Sequence, residues 1–173
     1  SKEILSDDSL IRLQDYRDVG GRFDRIASIE MFEAVGMHYW PTYFTKIREN
    51  LNPGGLAGLQ IITIAERYWE QYRRGSDFIQ RYIFPGGMLP TTEILKNQVD
   101  RAGLSWQANS AFGHDYADTL REWRARFQKA WPVVEKMGLD ERFRIIWRYY
   151  LSYCEAGFRS GSIDVSQLVI AKP

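Results

Sequence analysis

Glu33 stands where an acid can do chemistry. It lies in the stretch IASIEMFEAVG, residues 26–36, which begins like a buried strand and ends like a helix. In open α/β sheets ligands bind just past the carboxyl ends of the strands. Asp15 has a similar place at the end of LIRLQD, residues 10–15. An acid there can accept a hydrogen bond from a ribose hydroxyl or an adenine N–H. Tyr116 opens an amphipathic stretch, with a phenol that can donate to an anion and a ring that can face a cation. Gln60 puts an amide in an apolar strand; it can donate, but it cannot carry charge or shuttle a proton as histidine does. Each also has a plainer reading: a helix-cap acid, a turn acid, a core ring, a locally bonded strand residue.

Other chemistries find no support. His38 and His114 are the only histidines, and neither has neighbours at metal-ligand spacing, so no metal site is expected. No Gly-x-Ser-x-Gly elbow occurs. Cys154, the single cysteine, sits on an apolar helix face and reads as packing; alone, it excludes an internal disulfide and fits a reducing cytoplasm. A net charge of +1 gives no electrostatic case for nucleic acid. No apolar run reaches the roughly 20 residues that span a bilayer. With 173 residues and 45% hydrophobic content, the chain is one domain's worth and can bury a core. Its 14% aromatic content suits either an ordinary ring-rich core or a protein that handles apolar chains or a developing cation.

The elements that position these residues follow from periodicity. Residues 10–15 alternate apolar and polar, which predicts a strand. FDRIASI predicts the next strand, and HYWPTYFTKIRENL, residues 38–51, a helix with Pro41 near its start that ends in the turn chemistry of NPGG. LAGLQIITI is nearly all apolar, as in a strand buried on both faces. This order argues for a parallel sheet. Residues 65–90 are aromatic-rich and broken by glycine and proline, which predicts a helical excursion. A helix capped at Thr91 or Thr92 and stopped at Gly103, a strand, two long amphipathic helices and a last strand, SIDVSQLVIA, complete the chain. The Gly-rich loop that usually follows the first strand of such a sheet does not occur. A chain cut inside a larger fold is therefore expected.

FDRIASIEMFEAVG, YIFPGGMLP, FGHDYADTLREWRARF and YYLSYCEAGFRSGSIDVSQLVI together resemble the cyclopropane-fatty-acyl-phospholipid synthases, relatives of the mycolic acid cyclopropane synthases. The blocks follow one another over nearly the whole chain. The resemblance implies an α/β fold: an incomplete class I methyltransferase (Rossmann-like) sheet with an inserted helical lipid-binding cap. Residues 1–173 would be the C-terminal part of one catalytic domain, with the first strands and cofactor loop upstream. This stretch alone would then be inactive. The cofactors implied are S-adenosylmethionine and bicarbonate. The alkene of an unsaturated phospholipid acyl chain attacks the sulfonium methyl group, a carbocation forms, and bicarbonate removes a proton as the ring closes. Methylation without ring closure and a non-catalytic lipid-binding module are the rival readings.

Carried over residue by residue, the bicarbonate ligands match Glu33, Tyr116 and Ile62. Gln60 stands where relatives carry histidine, a change that bears on ring closure. Glu30 stands where relatives usually carry glycine and is expected to face solvent. Cofactor contacts match Asp15 and Tyr16, with the backbone near Ser28 and Ile29. The aromatic excursion, from Tyr68 to Phe84, would wall an acyl tunnel or simply pack a cap. The resemblance implies a cytoplasmic protein peripheral to the inner face of the membrane, with phospholipid as partner and a homodimer left open.

Overall fold

The structure, a computed structural model, describes residues 11–173. β1 (Phe23–Ile29) leads through two short 3-10 turns into α1 (Trp40–Asn50), and α1 into β2 (Leu51–Ile64). β1 and β2 pair in parallel, with Ile29 opposite Gln60. The excursion holds α2 (Glu66–Tyr72) and α3 (Phe78–Tyr82). Then come α4 (Thr92–Arg101), β3 (Ser105–Ala111), α5 (Gly113–Lys136), α6 (Glu141–Arg159) and β4 (Ile163–Ala171). The sheet order is β1-β2-β4-β3, and β4 is antiparallel to both of its neighbours.

The sheet is covered on both faces, and successive residues show it. Ile61 packs with Phe32, Trp40, Tyr43, Phe44 and Leu95, so α1 and α4 lie on its side. Ile62 packs with Leu120, Leu151 and Phe158 of α5 and α6. That alternation is the period of two of a strand. Thr91 caps α4, its hydroxyl accepting from the Ile94 N–H at 3.2 Å, and Gly103 ends the segment at a φ of +67°. The capping expectations for this helix therefore hold.

Two local expectations fail. Ile11–Asp15 form no strand; Asp15 instead caps a 3-10 turn, Tyr16–Asp18. Leu10 lies outside the described residues. Alternation alone does not make a strand without a neighbouring ladder to join. NPGG does not end the helix as a free turn either. β2 begins at Leu51 and carries NPGG as an irregularity, so that the pairing passes from Phe23↔Leu51 to Arg25↔Leu56. A bulge is the arrangement that admits extra residues into one strand of a pair.

Candidate active site

The carboxyl end of β1 carries two acids, set by different backbone devices. Glu33 sits in the 3-10 turn Phe32–Ala34, and the turn is fixed by Phe32, which is fully buried among Trp40, Tyr43 and Phe44. The Glu33 Oε1 accepts the backbone N–H of Ile62 at 2.6 Å. Its Oε2 is buried with no partner among the described residues. Burial pushes this carboxyl above the usual carboxylate range, against the pull of the Ile62 N–H, and the charge of Glu30 adds to the rise.

Glu30 is one residue past β1. Its backbone N–H donates to the Gln60 carbonyl at 2.9 Å, continuing the ladder, and its φ is +49°. That is left-handed backbone, uncommon for a residue with a side chain. The expectation that Glu30 faces solvent is wrong. The Tyr116 hydroxyl donates to its Oε1 at 2.7 Å, with Oε2 at 3.0 Å, and the Gln60 Nε2 donates to its Oε1 at 2.7 Å. Gln167 Nε2 donates to the side-chain Oε1 of Gln60 at 3.0 Å, which orients that amide with its NH2 toward Glu30. The signal was available: Glu30 follows the same strand end as Glu33, three residues earlier.

Tyr116 reaches this corner from the first turn of α5. The turn is anchored where the Gly113 N–H donates to Asp164 Oδ1 at 2.8 Å. A Cβ at residue 113 would stand 2.6 Å from that oxygen and 3.3 Å from the Asp164 Cα, so a side chain there would push the two apart. Burial first, and the Glu30 carboxylate second, hold the Tyr116 phenol well above its ordinary range. It is a donor throughout the neutral range.

Glu30, Glu33, Ile62 and Tyr116 all line one cavity of about 890 Å³. Gln60 stands behind Glu30. The rest of the wall is largely apolar: Ile64, Leu120, Phe158 and Ile163, with Tyr68, Tyr72 and Phe84 from the excursion. Other excursion rings have other work. Trp69 packs on Trp40, and Phe78 on Tyr149 at 4.6 Å between centroids. Cys154 is on the cavity wall, and burial pushes its thiol up to about 12. Arg73 and Arg74 both pair with Glu70.

A second cavity, of about 450 Å³, meets the same strand tip and is lined by Tyr16, Ser28, Ile29, Met31 and Tyr43. Ser28, Ile29 and Glu30 thus pass in three consecutive residues from one cavity to the other. The aromatic and backbone surfaces of Tyr16, Ser28 and Ile29 suit an adenosyl group. The Ser28 hydroxyl accepts from Tyr43 at 2.8 Å. Asp15 is not on this wall. Arg17 holds both of its carboxylate oxygens, at 2.7–3.0 Å, and the pair keeps the carboxyl down at about 2. Bicarbonate does not fit the other corner in the same way. Tyr116 and Gln60, two of its expected ligands, give their hydrogens to Glu30; the Glu33 Oε2 is the one atom of the expected set that is buried without a partner.

The family model described as mycolic acid cyclopropane synthetase matches residues 1–168. The chain is 42% identical over 163 residues to the tuberculostearic acid methyltransferase UfaA1 of Mycobacterium tuberculosis, covering 94% of this chain and 38% of that protein. It is 37% identical over 165 residues to the cyclopropane-fatty-acyl-phospholipid synthase of Escherichia coli, covering 95% and 42%. The solved mycolic acid cyclopropane synthase CmaA1, complexed with SAH and CTAB, matches with a TM-score of 0.85 at 27% identity, over 93% of this chain and 59% of that one. The chain thus spans less than half the length of these two curated relatives. The fold is that of an incomplete Rossmann-like methyltransferase sheet.

Proposed function

This chain belongs to the mycolic acid cyclopropane synthetase family, and from that membership we propose that it is the C-terminal part of a methyltransferase domain. The reaction is transfer of a methyl group from S-adenosylmethionine to the double bond of an unsaturated phospholipid acyl chain, followed by closure of a cyclopropane. The observation that carries this reading is the polar corner of Glu30, Glu33 and Tyr116 in a largely apolar cavity, beside a second cavity at the same strand tip.

Bound S-adenosylmethionine supplies an electrophilic methyl group. Tyr16, Ser28 and Ile29, which line the second cavity, would hold that cofactor. Ile64, Leu120, Phe158 and the excursion rings hold the acyl chain and keep water away, because water would quench a carbocation to an alcohol. The ring of Tyr116 faces the developing cation. The Ile62 N–H fixes Glu33, and that acid shapes the corner where the proton leaves. The lipid comes from the membrane surface; among the described residues no helix is long and apolar enough to cross a bilayer.

Methylation without ring closure is a second reading, favoured by the similarity to UfaA1 and by Gln60. Both readings are tested with the complete protein, S-adenosylmethionine carrying a labelled methyl group, and vesicles of unsaturated phospholipid. The expected result is a labelled acyl chain heavier by one CH2 that resists hydrogenation, as a ring does. A labelled product that takes up hydrogen favours methylation alone. No labelled lipid, together with tight vesicle binding, favours a lipid-binding module.

A further inference from the structure

We infer that the carboxylate of Glu30 is itself the base of this site and takes the place of a bound anion. The inference rests on the lipid-alkylation reading above. Two donors converge on Glu30: Tyr116 at 2.7 and 3.0 Å, and Gln60 at 2.7 Å. Tyr116 and Gln60 lie at two of the positions expected to hold bicarbonate. A carboxylate and a bicarbonate share a planar O–C–O edge, so donors placed for one serve the other. The amide of Gln60 is locked in the donating sense by Gln167. A histidine in its place could be charged; the glutamine is always neutral, which suits a partner that supplies the negative charge from the chain.

The backbone at Glu30 supports the same conclusion. A φ of +49° is left-handed backbone, which is costly for a residue with a side chain. Such strain persists where the surroundings over-determine it, and it gathers at functional sites. The neighbouring acid does not compete for the role. Glu33 has a single backbone donor and is held toward its neutral form by burial.

The step balances with Glu30 alone. The π electrons of the alkene form a bond to the methyl carbon, the methyl–sulfur bond breaks, and its pair stays on sulfur. A cation is left on the adjacent chain carbon. The Glu30 carboxylate takes a proton from the new methyl group, and the released C–H pair closes the ring. Removal of a proton from the chain instead gives a methylated alkene. The Glu30 acid gives its proton to water when the product leaves.

The test uses the complete protein in buffer stripped of carbon dioxide, with bicarbonate then restored. Unchanged turnover of unsaturated phospholipid by the parent is expected; turnover that vanishes and returns with bicarbonate overturns the inference. Glu30→Gln keeps an acceptor for Tyr116 and Gln60 but cannot take the proton, and a fall of at least about 100-fold is expected. Parental turnover in that variant also overturns it. Glu30→Gly opens the corner, and bicarbonate or formate should restore part of its lost rate. Binding is read separately, by broadening of the 13C-bicarbonate resonance. Binding to Glu30→Gly and not to the parent supports the inference, and binding to the parent overturns it. A parent that alkylates no lipid defeats the lipid reading, and the binding measurement still decides the place of Glu30.

Discussion

The backbone N–H of Met88 donates to the carbonyl of Glu33 at 2.9 Å. The loop that closes the excursion is therefore bonded to a residue of the strand-tip corner. Gly87 lets the two come together: a Cβ there would stand 3.1 Å from the Phe84 carbonyl and 3.4 Å from the Glu33 carbonyl. Gly87→Ala should cost about 1 kcal/mol in urea unfolding. It should also raise KM for the lipid, since the loop forms the cavity wall through Phe84, Gly87 and Met88. An unaltered KM would show that loop and corner move independently.

Glu33 gives a pH dependence with a definite sign. Its folded carboxyl lies above the ordinary value because burial disfavours the charge. Its contribution to stability is thus fully present below the unfolded value and is lost as pH rises through the folded one. Glu33→Gln cannot ionise and keeps an oxygen for the Ile62 N–H. The melting temperature of the variant relative to the parent should therefore climb as pH rises above the ordinary carboxylate value. A difference that stays flat, or falls, contradicts the burial argument.

Tyr116→Phe removes a hydroxyl but keeps the ring on Phe158, whose centroid is 5.1 Å away. A hydrogen bond to a charged group contributes about 1.5–3 kcal/mol. If the loss is felt in the reaction, kcat should fall by roughly 10- to 100-fold, while KM for the lipid, set by the apolar walls, should hold. A rise in KM with kcat preserved would assign the hydroxyl to substrate binding.

Cys154 offers a chemical readout. With its thiol pushed up to about 12 by burial, thiolate is scarce at neutral pH, and alkylation needs thiolate. Labelling by a maleimide should be slow in the folded protein, complete in urea, and slower still when an unsaturated phospholipid fills the cavity that Cys154 lines. Fast labelling of the native protein would contradict the burial.

Much of this site is legible in the sequence because strand ends are legible. FDRIASI and LAGLQIITI announce two buried strands, and their pairing sets Ile29 beside Gln60 and Glu33 against Ile62. The amphipathic pattern places Tyr116 on the face of α5 that meets the sheet. Glu30 escapes because its role comes from long-range partners: Gln60 is 30 residues away and Tyr116 is 86. No local pattern records such distances, so the position reads as an idle surface. Asp15 misleads for the opposite reason. Its neighbour Arg17 captures it, and a contact two residues away looks the same in sequence as a loop with a free acid. The excursion was predicted as a whole, but which rings face the cavity and which pack behind it depends on the angles of α2 and α3.

The left-handed backbone at Glu30 is held by what its side chain binds. Glycine there would shed roughly 1–2 kcal/mol of strain, but it would leave the Tyr116 hydroxyl and the Gln60 amide without their acceptor, a loss of similar or larger size. Swapping the acid for glycine should therefore bring no gain in heat tolerance, and a screen ranked by melting point alone would not push this position away from the reaction.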